Sequence, residues 1–196
     1  MVQDDKKGNV MLENSILSEM GLNQKSNVDN EAEVFKTRTL MKKVVEDLKL
    51  NIKYYRHTKI QNITNAFRKV EVYGNQVPFS LELLHYNADS LVYLKDGLTI
   101  KFEENKPEKL AYKDIINRIY WGDTINSPVG RIIFHKNQEF LGDLYPEYNV
   151  YFVDTQFVVN ELRLALNVSI PNKLVSIINL SIETPIVAKG NDILSK

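Results

Sequence analysis

Residues 31–50 read EAEVFKTRTLMKKVVEDLKL, the stretch with the strongest helical periodicity in the chain. Its apolar residues recur at spacings of seven, four and three positions: Val34, Met41, Val45 and Leu48, with Phe35 and Val44 widening the stripe. Asn30 and Glu33 have the spacing of a capping box, which satisfies free N–H groups at the start of a helix. The pattern therefore predicts one amphipathic helix over 31–50.

Short segments that are typical of β-strands follow this helix. They cover 52–55, 69–73, 79–85, 91–94, 98–102, 131–135 and 148–153. Asp96-Gly97 is a strong hairpin signal and predicts that 91–94 pairs with 98–102. Farther on, 156–166 has helical spacing, and 174–182 is a β-branched run typical of a buried strand. Thr184-Pro185 predicts the start of a last helix, with proline at its first position.

The order of these elements indicates the fold class. It is helix, a run of short strands, helix, strand and helix, preceded by a short helix near 11–20 and a polar linker. Strands grouped between helices are typical of the α+β class. We therefore predict an α+β fold in which a core of mixed sheet and helices carries a β-rich insertion at 70–150.

Composition excludes several classes of function. The chain has 25 Lys and Arg against 25 Asp and Glu, so we expect no concentrated basic surface for nucleic acid or an anionic membrane. Without cysteine, it has no disulfide, zinc–thiolate or thiol chemistry. It contains neither an apolar run long enough to span a bilayer nor a signal segment at its start. These features predict a soluble globular domain.

Candidate metal-binding and phosphate-binding residues are dispersed. His57, His85 and His135 lie far apart, and none has a second histidine three or four residues away, so no metal site is predicted. The eight glycines are widely separated and form no phosphate-binding loop. We therefore predict no cofactor.

An acid–base pair of carboxylates is a further candidate for catalysis. It would come from one acidic stretch: Glu103, Glu104, Glu108 and Asp114. Lysines interrupt this stretch, and a polar environment does not supply the burial that shifts the pKa of a catalytic carboxyl group. A solvated surface loop is the favoured interpretation.

Aromatic residues suggest carbohydrate binding. Ten Tyr and one Trp include the cluster 120–123, and aromatic faces stack on the apolar faces of pyranose rings. Tyr120 and Trp121 are therefore candidate glycan contacts. The alternative, favoured for any single residue, is that aromatics in strand-forming segments serve packing. By the same reasoning, Tyr54 and Tyr55 are predicted to be half-buried at the start of a strand.

Both ends of the chain suggest a piece of a longer protein. The chain opens on a charged stretch at 2–9, and Lys196 follows the predicted helix start at Thr184-Pro185 by only about three turns. A helix gains stability only after a costly nucleation step, so a natural end is not expected there. We expect flanking segments at both ends.

A resemblance to a known family is carried by several stretches. Residues 27–45 (NVDNEAEVFKTRTLMKKVV) are similar to the helix pattern N-E-x-E-x-L-K-S-R-x-L-x-x-K-V-V of the Wzz/Wzc family of polysaccharide chain-length determinants, also called polysaccharide co-polymerases. They depart from it at Phe35-Lys36-Thr37, where the family commonly has Leu-Lys-Ser. Shorter matches cover 4–8, 48–51 with Tyr54-Tyr55, 73–79, 162–163, 166–168, 177–181 and Thr184-Pro185.

The resemblance is strongest to the Bacteroidetes form that is attached to a tyrosine kinase. It implies a Wzz-like α/β core at 1–69 and 151–196, with the insertion at 70–150 between them. It implies a domain at the periplasmic face of the bacterial inner membrane, held by two transmembrane helices outside this sequence. The family's kinase residues also lie outside it, so no enzymatic activity is predicted for this chain.

The resemblance further implies a scaffold that assembles as a homo-oligomer. Such a scaffold sets the length of O-antigen, capsular or exopolysaccharide chains. Its implied partners are a Wzy-type polymerase, an outer-membrane export channel and the polysaccharide itself. Two alternatives stay open: a carbohydrate-binding module that uses exposed aromatics such as Tyr120 and Trp121, and a hydrolase with dispersed carboxylates or histidines.

Overall fold

The fold combines helices with antiparallel sheets and belongs to the α+β class, as predicted. A computed structural model describes residues 22–59, 67–86, 97–103, 106–112, 115–127, 130–171 and 177–196. In these ranges the helices are α1 (Leu22–Phe35), α2 (Arg38–Asp47), α3 (Thr155–Ala165) and α4 (Val187–Leu194). The strands are β1 (Ile52–Lys59), β2 (Phe67–Val72), β3 (Phe79–Tyr86), β4 (Leu98–Glu103), β5 (Lys106–Tyr112), β6 (Ile115–Arg118), β7 (Thr124–Ser127), β8 (Gly130–Lys136), β9 (Glu147–Phe152), β10 (Leu166–Ser169) and β11 (Asn179–Ile182).

The single helix predicted over 31–50 is wrong, because two helices meet within it. Thr37 leaves the helical conformation (φ −67°, ψ 145°), and its hydroxyl oxygen accepts a hydrogen bond from the Leu40 N–H at 3.4 Å. The same hydroxyl donates to the carbonyl of Val34 at 2.8 Å. A threonine side chain can compete with the helical backbone for such bonds, so Thr37 ends α1 and caps α2.

The start of the first helix also differs from the prediction. The capping box at Asn30 and Glu33 is wrong, because both residues lie inside α1. The polar linker is helical from Leu22 onward, while the helix predicted near 11–20 lies outside the described residues. No helix in the described ranges is long and apolar enough to cross a membrane.

The strands form three sheets, and every described strand pair is antiparallel. One sheet has six strands in the order β2-β1-β9-β4-β5-β6, a second has the order β3-β8-β7, and β10 pairs with β11. The expected mixed sheet is therefore antiparallel within the described residues. The domain division stays a prediction. Its two boundaries fall inside β2 and β9, which belong to the same six-stranded sheet.

Three local predictions need correction. Strand β4 pairs with β5 on one edge and β9 on the other, which leaves no edge for a hairpin with 91–94, itself outside the described residues. The predicted loop around 103–109 contributes Lys106–Tyr112 as β5, because a strand can form by backbone pairing despite its lysines. Only 179–182 of the predicted strand 174–182 is described as a strand, and it is partly exposed rather than buried.

The last helix begins later than predicted. Ile186 is its N-cap residue and Val187 its first residue, so Pro185 precedes the helix instead of opening it. The Thr184 hydroxyl accepts a hydrogen bond from the Ile186 N–H at 3.3 Å, which holds the chain in a turn before the helix. By contrast, α3 begins within one residue of the predicted start at 156, and the Asp154 carboxylate caps it by accepting a hydrogen bond from the Phe157 N–H at 3.0 Å.

The larger apolar core lies between the six-stranded and three-stranded sheets. At its centre Tyr148 of β9 is fully buried, with its ring edge-on to Phe79 of β3 at 5.6 Å and to Phe102 of β4 at 5.7 Å. Edge-to-face aromatic pairs add about 0.5–1.5 kcal/mol beyond the burial of apolar area. The core residues are Ile52, Val72, Val77, Phe79, Leu81, Leu98, Ile100, Phe102, Ile119, Ile125, Ile132, Phe134, Tyr148, Val150 and Phe152.

A second, smaller core lies among the helices. Residues of α2 pack there against α3 and α4, together with Leu50 and Leu166. Its buried members are Met41, Val44, Val45, Leu50, Val158, Val159, Leu162, Leu166 and Ile193. The fold therefore has a β-sandwich part and a helical part, which share the six-stranded sheet through the short connections 48–51 and 153–154.

Gly97 is required at the start of β4. Its φ is +68°, and a Cβ atom there would lie 2.8 Å from Tyr151 Cε1 and 3.0 Å from the Val150 carbonyl oxygen. Gly97→Ala should lower the free energy of unfolding by about 2 kcal/mol or more. Gly74→Ala is the matched control, because Gly74 has a φ of +60° but nothing within 4 Å, and it should cost about 1 kcal/mol. Urea unfolding checks both, and equal losses would contradict the close contact.

Tyr54 makes stability depend on alkaline pH. Burial raises its pKa from 10.0 to about 12, although the hydrogen bond from the Leu81 N–H opposes the shift. Because the folded pKa lies above the unfolded one, this stability is complete below pH 10 and is lost as pH rises toward 12. Tyr54→Phe should have a lower free energy of unfolding than wild type at pH 8. This difference between the two proteins should decrease by about 1.4 kcal/mol per pH unit above 10. Urea unfolding at a series of pH values measures this difference. A difference that stays constant above pH 10 would contradict the raised pKa of Tyr54.

Candidate functional site

Tyr120 and Trp121 lie in a tight turn between β6 and β7. The Asp123 N–H donates to the Tyr120 carbonyl at 3.1 Å, and the Asp123 carboxylate accepts from the Tyr120 N–H at 2.8 Å. Gly122 supplies the positive φ of 86° that this turn needs at its third residue. The turn is tied to β8, because the Gly122 N–H donates to Phe134 and the Phe134 N–H donates to Asp123.

The turn gives these two aromatic side chains different environments. Tyr120 is 65% exposed and is not among the residues of the larger core. Trp121 is half-buried, stacked on Phe134 with ring centroids 5.1 Å apart and planes 15° apart, and tilted against Phe102 at 6.3 Å. The two predicted glycan contacts therefore lie in different environments: Trp121 is at the edge of the core, and Tyr120 is on the surface.

A cavity of about 580 Å³ opens beside Trp121, within the range of small-molecule sites. We call it the Trp121 cleft. Its apolar walls are Pro78, Phe102, Trp121, Phe140 and Leu144, and its polar lining is Lys136, Asn137 and Gln138. Lys136 and Gln138 are exposed, so the cleft reaches the protein surface. Mostly apolar walls with a few polar groups are typical of ligand-binding sites.

Asn137 holds the floor of the cleft in place. Its side-chain amide donates to the carbonyls of Val77 at 2.7 Å and Gly74 at 3.1 Å, and its oxygen accepts from the Glu139 N–H at 3.0 Å. Nearby, the Leu141 N–H donates to the Asn75 carbonyl at 2.8 Å. The segment that carries Phe140 is therefore fixed to the turn after β2.

The histidines do not converge within the described structure. His57 lies on the six-stranded sheet, with Nδ1 at 3.7 Å from a Glu147 oxygen, whereas His135 lies on the three-stranded sheet, with Nε2 at 3.1 Å from Glu82 Oε2. His85 is on β3, and its side chain is outside the description, as are those of the acidic stretch 103–114. No group of three metal-binding side chains occurs among the residues described.

Tyr54 and Tyr55 are half-buried, as predicted. Tyr54 packs edge-on against Phe79 at 5.6 Å in the larger core. Tyr55 lies on the other face of β1, edge-on to Tyr151 at 5.4 Å. Burial raises the Tyr55 pKa, and the nearby carboxylate of Glu71 raises it further.

Sequence reasoning missed most of the Trp121 cleft. Phe102 comes from β4, whereas Lys136 and Phe140 come from the end of β8 and the segment directly after it. The sequence offers one signal: a strand that ends in the polar run Lys136-Asn137-Gln138, which is typical of a turn. That signal locates a turn, but not the strands that the turn contacts.

The role of Asn137 as an anchor can be tested by substitution. Asn137→Ala removes three hydrogen bonds and should lower the free energy of unfolding by about 2 kcal/mol. Gln138→Ala is the matched control, because this neighbour is exposed, and its change should stay within about 0.5 kcal/mol. Thermal and urea unfolding measure both variants. Equal effects would show that the side-chain hydrogen bonds of Asn137 do not hold the segment.

Comparison with protein-family models and with curated proteins gives no match for this chain. Its function is therefore inferred from its own residues and their geometry.

Proposed function

We propose that this chain is the periplasmic scaffold domain of a polysaccharide co-polymerase in a bacterial inner membrane. In this role it regulates the length and export of a capsular polysaccharide, exopolysaccharide or O-antigen. It works as a homo-oligomer with a Wzy-type polymerase and an outer-membrane export channel. Transmembrane helices flank it in the parent protein, which also carries a tyrosine kinase domain. The chain itself performs no chemistry in this proposal.

One observation carries the proposal: several of the stretches that resemble the family meet in the helical core, whereas Tyr54, Val77 and Phe79 of two others lie in the larger core. Residues 27–45 supply the end of α1 and most of α2, residues 162–163 lie in α3, and residues 166–168 supply most of β10. All three ranges contribute buried side chains to the smaller core, together with Leu50. Tyr73, from another matching stretch, packs on the same core. Segments far apart in sequence therefore build one structural unit, which is what a resemblance between folds requires.

Polar contacts hold these segments together. The Arg163 guanidinium donates to the Lys36 carbonyl at 2.8 Å, next to the break between α1 and α2. Lys53 of β1 pairs with Glu161 of α3 at 3.2 Å, and Lys189 of α4 pairs with Glu71 of β2 at 2.6 Å. The Lys189–Glu71 pair is mostly buried, so losing one partner would cost more than at a surface ion pair. The helical core is thus fixed to the six-stranded sheet.

The surface of α3 offers a contact for a second subunit. Leu164 is 88% exposed and Phe157 is 55% exposed. They are seven residues apart and lie on one side of the helix. Exposed apolar residues grouped on one face are the kind of surface that subunit association buries.

The proposal is tested in the full-length parent protein, in the bacterium that encodes it. Deleting residues 22–196 from the parent should abolish control of polymer length, seen on a gel as loss of the preferred chain length. An unchanged length distribution would overturn the proposal. The flanking gene sequence supplies a second test, because a parent without transmembrane helices on either side would contradict it.

The proposed subunit contact has a sharper test in the same protein. Leu164→Ser should weaken cross-linking between parent subunits and broaden the polymer length distribution, because it removes an apolar side chain from the contact. Leu84→Ser is the matched control: Leu84 is also exposed, at 41%, but lies on β3 of the three-stranded sheet. Equal effects of the two variants would contradict a contact at α3.

A second candidate function is carbohydrate binding, which the Trp121 cleft favours. The cleft combines aromatic walls with side-chain amide and ammonium groups, the combination by which proteins hold sugars. Binding and scaffolding are compatible, since a scaffold that sets polymer length must operate beside its polymer.

A further inference from the structure

We propose that the Trp121 cleft binds an anionic saccharide, of the class in which a pyranose ring carries a carboxylate. The inference deepens the carbohydrate-binding candidate and rests on it. It goes further by naming the chemical class of the ligand and the residues that select it. Three features of the cleft support it: an aromatic wall, one cation that has no ionic partner among the described residues, and a fixed floor.

The aromatic wall can stack on a sugar ring. One face of Trp121 is covered by Phe134 in a nearly parallel stack, so the rest of the indole contributes to the cleft. Phe140 lies in the segment after β8 and also lines the cleft. The C–H groups on a pyranose face carry partial positive charge and pack favourably on the negative face of an aromatic ring.

Lys136 gives the cleft its charge preference. Among the residues that the structure describes, it is the one ionisable residue that lines the cavity. Its ammonium is exposed, and no carboxylate among the described residues pairs with it, whereas Lys42, Lys53, Lys101 and Lys189 all have acidic partners. An unpaired cation at the mouth of an aromatic cleft favours an anion. A single ammonium matches one carboxylate, while phosphate sites usually gather several donors.

The two side-chain amides that line the cleft, those of Asn137 and Gln138, have different roles. Asn137 is engaged in holding the floor, since both ends of its side chain already form hydrogen bonds. Gln138 is exposed and has no hydrogen-bonding partner among the described residues, so its amide can bond to sugar hydroxyls. Because these hydrogen bonds fix the floor, binding does not require ordering of this segment, which favours affinity.

The experiment uses Trp121 as its own reporter, because it is the single tryptophan in the chain. Intrinsic fluorescence of the 196-residue protein is titrated with tetragalacturonate, a hyaluronan tetrasaccharide and fully methyl-esterified tetragalacturonate. The esterified probe has the same ring without the charge. We expect a saturable change with at least one acidic probe and weaker binding of the esterified probe. The preference for the acidic probe over the esterified probe should decrease at high salt, because salt screens the attraction between the charges.

Variants locate the site and separate its two contributions. Lys136→Gln should weaken acidic-probe binding about two- to fivefold and leave the esterified probe unaffected. Lys43→Gln is the matched control, since Lys43 is exposed on α2, and it should bind like wild type. Phe140→Ala should weaken the binding of both the acidic and the esterified probe. Circular dichroism and urea unfolding establish that each variant is folded, and Phe140→Leu replaces Phe140→Ala if the latter is not.

Several outcomes would overturn the inference. No fluorescence change with any probe up to about 10 mM, the weak end of useful affinity, overturns binding at this cleft. Equal binding of acidic and esterified probes, or an unaffected Lys136→Gln, overturns the anionic assignment. Unaffected binding in the Phe140 variant overturns the location. None of these results bears on the scaffold proposal, which is tested by polymer length in cells.

Discussion

The pairing of β1 with β9 is the constraint on which the rest of the structure depends. Ile52 lies opposite Phe152, so the start of one strand meets the end of the other. The Val153 N–H extends this pairing by donating to the Asn51 carbonyl at 2.8 Å. Because α2 ends just before β1 and α3 begins just after β9, both helices emerge from the same end of the sheet. The helical core follows directly from this antiparallel register.

The same pairing organises the β-sandwich. It places Tyr148 and Val150 on the inner face of the sheet, where β4 on the other edge of β9 adds Leu98, Ile100 and Phe102. The three-stranded sheet covers this face through Phe79, Leu81 and Phe134. The chain thus leaves the helical core at residue 52 and returns to it at residue 152. The residues that line the Trp121 cleft belong to this part of the chain and not to the helices.

The sequence predicted elements where local chemistry and periodicity agreed. Helix α3 has both an Asp154 cap and a regular apolar face, and β3 and β8 alternate between buried and more exposed residues. The break at Thr37 was not predictable from periodicity, because the apolar stripe runs through it and only the hydrogen bonds of one hydroxyl reveal it. Strand β5 is rich in charge and is recognised as a strand by its pairing with β4 and β6, not by its composition. Trp121 stood out as an aromatic, but its neighbours in the cleft are brought there by topology.

The pairing of β1 with β9 also determines when the helical core can form during biosynthesis, because β1 cannot pair with β9 before β9 has been synthesised. Ile52 and Phe152 are one hundred positions apart, and closing a loop of that length costs about 4 kcal/mol of chain entropy before any contact offsets it. At ordinary rates of translation, the partner strand emerges about 5–20 s after β1. During that interval the apolar stripe of α2 has no α3 to cover it. A nascent chain of this protein therefore presents Met41, Val44 and Val45 to its surroundings until β9 and α3 arrive, which makes α2 a natural target for chaperones.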